Sequence, residues 1–158
     1  MKPSIKTGFS FGLTSAIITT LGLMVGLNAG THSPLAVIGG VITIAIADAL
    51  SDSLGIHVST EAQNKYSQAE VWEATASTFA TKFVFGLSFV IPLMLFELQE
   101  AMVVAIIWGL ALLAAFSYVI AKEQKVTAWH VVAEHLAIAI VVIVLGNFVG
   151  EWVAVAFS

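Results

Sequence analysis

The chain of 158 residues contains no cysteine and no arginine. The first absence excludes disulfides, thiolate metal sites and cysteine nucleophiles, and leaves His, carboxylates and Met as metal-ligating side chains. The second, with a net charge of −4 from ten acids against six lysines, argues against nucleic acid as a partner. Charge of any sign is scarce at 10% of residues, whereas 59% are hydrophobic and the mean hydropathy is +0.99. This is the balance of an integral membrane protein, whose first partner is the lipid bilayer. Also missing are a phosphate-binding glycine loop with its lysine, a nucleophile elbow and a zinc-protease helix motif. No enzyme is therefore expected, and the acids of so apolar a chain point to cations.

Thr7 to Ala47 carries no charged residue, but "NAGTHSP" (Asn28 to Pro34) has turn chemistry, which predicts two spans and a tight hairpin. Ser67 followed by Glu70 is a capping-box pattern that starts a third helix. "FELQE" (Phe96 to Glu100) and "KEQKVT" are the next polar breaks. The expectation is an all-α single transmembrane domain over 1–158, with spans at about 7–28, 34–58, 70–96, 101–121 and 129–157. Lys2, Lys6, Lys65, Lys122 and Lys125 then fall on one side, which predicts a cytoplasmic N-terminus and an external C-terminus. Lys82 lies in the third span, where its stem is expected to snorkel to that same side. Trp72, Trp129 and Trp152 match an interfacial belt, and Trp108 lies deeper. A rival reading of the start is a secretory signal of lysines, an apolar run and small residues at "GLNAG".

Glycines recur every four residues as Gly22, Gly26 and Gly30, as Gly8 and Gly12, and as Gly146 and Gly150. Such spacing lets helices approach closely in lipid, either inside one protomer or between two.

The chemistry concentrates in "IAIADALSDSLGIHVS" (Ile44 to Ser59). Asp48 and Asp52 are four apart and share a helix face, with Ser51 beside them. A carboxylate at membrane depth costs at least about 2.5–3.5 kcal/mol and marks a functional candidate, with interfacial placement of Asp52 as the alternative. His57 and Glu61 are read as continuing that face towards the inner side, where they receive or release a cation or simply sit at a solvated helix end. Thr14, Ser15, Thr19 and Thr20 give span one an unusual density of hydroxyls, which either line a pathway or bond back to their own helix. In the last span His130, Glu134, His135 and Glu151 suit interfaces, whereas Asn147 is expected to bond another helix and line the pathway. Glu97 and Glu100 suit an outer turn, and Met24, Met94 and Met102 suit packing.

The order of these features resembles the vacuolar iron transporter family, which includes yeast vacuolar iron and calcium transporters and plant nodulin-21-like proteins. "FGLTSAIITTLGLMVGLNAG" is similar to the family's first span, "ADALSDSLGIHVS" to its second-span motif and "GLSFVIPLMLF" to its Ile-Pro-containing third span. "KEQKVTAWHVVAEHL" and "LGNFVG" follow the layout of its closing pair. The resemblance implies five transmembrane helices in a homodimer that moves iron(II) or manganese(II) out of the cytoplasm in exchange for protons. No resident cofactor is implied, the metal being cargo, and the membrane would be the cell membrane of a prokaryote or a vacuolar-type membrane of a eukaryote. At the positions of the family's pathway aspartate, methionine and glutamate stand Ser15, Asp52 and Ile44, and Asp48 stands where the family has glycine. The cytoplasmic metal-binding insert of plant members is absent. A carboxylate in place of a thioether favours harder cations such as manganese, magnesium or calcium. A second expectation from the residues is a membrane scaffold or accessory subunit, in which the aspartates pair with fixed partners such as Lys82 or the Asn147 amide.

Overall fold

Pro3 and Pro34 each stand in the first turn of a helix, where a missing N–H costs nothing. In the computed structural model, which describes residues 1–157, they open α1 (Pro3–Thr31) and α2 (Pro34–Ala62). Only two residues separate these helices. His32 takes a left-handed conformation with its N–H on the Asn28 carbonyl, and the Ser33 hydroxyl accepts from the Ala36 N–H. The hairpin thus forms where the turn residues place it.

The capping box of Ser67 and Glu70 is present and starts α3 (Gln68–Ser88). A short α4 (Val90–Leu95) completes the same span, with Phe89 as a break between them. Sequence reading expects one continuous helix here, and Pro92 explains the difference. Its nitrogen has no proton to give the Ser88 carbonyl four residues back, and its ring crowds that carbonyl, so the helix ends at Ser88. The fully buried Phe89 ring then packs on α5 (Leu98–Glu123) near Gly109. α6 (Ala128–Phe157) closes the chain. Among the described residues there is no strand, and five helical segments are long and apolar enough to cross a membrane. They overrun the expected spans by a few residues at most ends. A helix of 29 residues such as α1 is about 43 Å long at 1.5 Å per residue, against a hydrocarbon core of about 30 Å.

α1 is the central helix and packs against α2, α3, α5 and α6. Its glycines make this possible. A Cβ on Gly8 would lie 2.2 Å from the Ala74 carbonyl oxygen, and one on Gly12 would lie 2.8 Å from that of Thr78, so α3 rests on the α1 backbone. About five turns further along the same face, Gly26 and Gly30 meet Gly146 and Gly150 of α6, and Gly22 meets Val142. The glycine repeats therefore pack helices inside one protomer, the first of the two uses their spacing allows.

At one end of the bundle, ion pairs join Lys2 to Glu73 and Lys6 to Glu123, tying the start of α1 to α3 and α5. Ser4 also donates to Glu73, at 2.6 Å. The Glu73 carboxylate, by hydrogen bond and by charge, holds the Lys2 ammonium above the usual lysine range.

Candidate functional site

Asp48 is the middle residue of α2, about 21 Å along the helix from either end. Ala45, Ala49, Ser53 and Thr60 form the buried line of this helix, and Asp48 and Asp52 flank it on the side towards α1. Both carboxylates converge on the ammonium of Lys82, which α3 supplies from the middle of its own span. The Lys82 side chain is 2% exposed, against 26% for Asp48 and 22% for Asp52. Ser15, near the midpoint of α1, completes the cluster: its hydroxyl donates to Asp52 Oδ2 at 2.7 Å and accepts from Lys82 Nζ at 2.8 Å.

The two aspartates are held differently. Asp52 Oδ2 accepts hydrogen bonds from both Lys82 and Ser15. Asp48 Oδ2 lies within ion-pair distance of Lys82 but receives no aligned hydrogen bond. Three formal charges meet, two negative and one positive, so the cluster carries a net −1 at the depth where charge is least tolerated. Asp48 also lines a shallow groove on the flank of the bundle, formed by Leu23 and Leu27 of α1 with Gly39, Thr43, Ala47 and Ser51 of α2.

Lys82 is the residue that the transport expectation misplaces. It does not snorkel: it lies 14 residues into its helix, about 21 Å from the end and beyond the reach of a four-carbon stem. Gly12 of α1 and the neighbouring Thr81 and Lys82 backbone of α3 are in close contact, which anchors the root of this side chain. The pairing is the one that the scaffold expectation names for Lys82, on no signal other than its depth in the span.

The other predicted residues separate. Ser51 is exposed and shares the groove with Asp48 rather than pointing at the ammonium. His57 and Glu61 do not continue the aspartate face. Five residues beyond Asp52 a helix has turned about 500°, so His57 leaves at about 140° from it. There His57 Nδ1 lies 3.0 Å from Thr75 Oγ1, and its ring meets Trp72 edge-on. Glu61 is exposed near the end of α2 and accepts from Gln68 at 3.5 Å. Thr14 and Thr19 donate to carbonyls one turn earlier in α1, at 2.9 and 2.8 Å, the self-bonding alternative for such hydroxyls. Asn147 is exposed on α6 and donates to Glu151 of the same helix at 2.8 Å, not to another helix. Among the described residues no three His, Asp or Glu side chains gather as a metal-binding group. What the fold assembles is a two-carboxylate, one-lysine, one-serine cluster open on the Asp48 side.

No protein-family model, curated protein or solved structure matches this chain.

Proposed function

We propose that this chain carries divalent metal cations of the iron(II) or manganese(II) type across a membrane, exporting them from the cytoplasm in exchange for protons. The observation that carries the reading is the net −1 cluster at mid-depth, with Asp48 open to a groove that also presents the oxygens of Thr43 and Ser51. Intramembrane acids of this kind mark ion pathways, and oxygen donors suit hard divalent ions. The resemblance of the order of motifs to the vacuolar iron transporter family supports the same reading. The lysine-bearing end, with Lys2, Lys6, Lys65, Lys122 and Lys125, is the cytoplasmic end in this proposal.

The proposed assembly is a homodimer that meets along the open face of α2. Gly39, Thr43, Ala47, Ser51 and Gly55 recur there every four residues and are exposed, and a Cβ on Gly39 or Gly55 would touch nothing. Small residues at this spacing admit a second helix. Two chains would then bring a charge of −2, which balances one divalent ion.

Proteoliposomes test the reading. Manganese(II) should drive proton flux through the native protein, and the Asp48→Ala, Asp52→Ala double variant should lose it; undiminished flux in that variant would end the proposal. A scaffold function is the second reading, favoured by one observation, the pairing of Lys82 with both aspartates. It requires that divalent ions neither bind nor move.

A further inference from the structure

The geometry points to a division of labour in which Lys82 neutralises Asp52 and so reserves Asp48 as the single cation-binding carboxylate of each chain. This rests on the transport reading and goes beyond it, because spacing alone makes the two aspartates equivalent. Three observations separate them. Asp52 is fixed by hydrogen bonds from Lys82 and from Ser15, so its Oδ2 is already occupied. Asp48 Oδ2 is buried against the ammonium without an aligned donor, so Lys82 holds it by charge alone, and the exposed remainder of the side chain is what faces outwards. Asp48, not Asp52, lines the groove with the exposed Thr43 and Ser51.

The root of Lys82 is held by the close contact of α3 with Gly12 of α1, so the ammonium stays between α1 and α2 whichever aspartate it serves. Asp52, Lys82 and Ser15 therefore form a neutral clamp, and the remaining charge of −1 belongs to Asp48. Removing Asp52 should not free the site. It should turn the ammonium fully onto Asp48 and close it.

That consequence gives an asymmetric rescue test, read as manganese(II) affinity of the full-length protein in detergent micelles. Asp48→Asn should weaken binding at least about thirtyfold, and Asp52→Asn, with Lys82 redirected to Asp48, at least about tenfold. Adding Lys82→Met to Asp52→Asn should restore affinity to near the native level, since the ammonium no longer competes for Asp48 and the cluster is back at net −1. Adding Lys82→Met to Asp48→Asn should restore nothing. Each of these variants leaves the cluster neutral or at net −1, so none strands two unpaired carboxylates, and a melting curve on each confirms folding. Equal rescue of both aspartate variants, rescue of neither, or native affinity in Asp48→Asn would overturn the division of labour while leaving cation binding intact. Absence of manganese(II) binding by the native protein would overturn the transport reading and this inference together.

Discussion

The chain uses the same ion-pair chemistry in two places with opposite consequences. At the end of the bundle Lys6 and Glu123 meet with side chains 41% and 52% exposed, and Lys2 meets Glu73 nearby. At the centre Lys82 meets Asp48 and Asp52 with its own side chain 2% exposed. The end pairs are matched one to one, and salt and water screen them, so they are weak ties between helix termini. The central cluster is unmatched, three charges with a remainder of −1, in surroundings that screen little. A fold that only needed to join α2 to α3 could do so with one pair or with apolar contacts. In the proposed function, the surplus carboxylate is what separates a site from a tie.

The largest expected effect comes from removing the central cation. Lys82→Met leaves two carboxylates facing each other without a cationic partner and should cost about 3–5 kcal/mol in denaturant unfolding from micelles. A loss below about 1 kcal/mol would mean that the centre behaves like the ends. Next comes the root of the lysine. Gly12→Ala places a Cβ 2.8 Å from the Thr78 carbonyl oxygen, and this overpacking should cost about 1–3 kcal/mol. It should also weaken manganese(II) binding, because α3 and Lys82 move with it. Gly39→Ala, where a Cβ meets nothing within 4 Å of the same chain, should leave the protomer as stable as before, and a gain of dimer dissociation in that variant would mark the α2 face as the interface.

Smaller effects belong to the end pairs. Lys6→Met should change stability by no more than about 1 kcal/mol, and less in high salt. The Lys2 pair supplies a pH dependence. Because Glu73 raises the Lys2 value on folding, its contribution is fully present below the ordinary lysine range and fades as pH rises through the higher folded value. Comparing the native chain with Lys2→Met in alkaline unfolding titrations should show a small difference that closes only at high pH; a difference that closes near neutrality would assign the effect to other groups.

Much of the fold was legible because each span announces itself by a long, predominantly apolar run, and because Pro34 and the Ser67 to Glu70 box mark helix starts locally. The break at Phe89 was legible in principle, since Pro92 stands in the expected span, yet its effect falls four residues upstream of the proline itself. The shared face of Asp48 and Asp52 follows from spacing. Their partner does not follow from spacing: Lys82 and Asn147 were both open as partners, and because Lys82 is 30 residues from Asp52 along the chain and on another helix, no periodicity chooses between them. His57 and Glu61 do not join the cluster because helical rotation carries them off the aspartate flank. Asn147 and Glu151 are four apart, so their mutual bond was available from spacing.

The most direct test of a cation site at mid-depth is the thermal unfolding of the native chain and of Asp48→Asn with and without manganese(II). A ligand at about 100 times its dissociation constant stabilises the bound fold by about 2.7 kcal/mol. The native protein should gain that stability and Asp48→Asn should gain none. Unchanged melting of both proteins, or an equal gain in both, would contradict a cation site at Asp48.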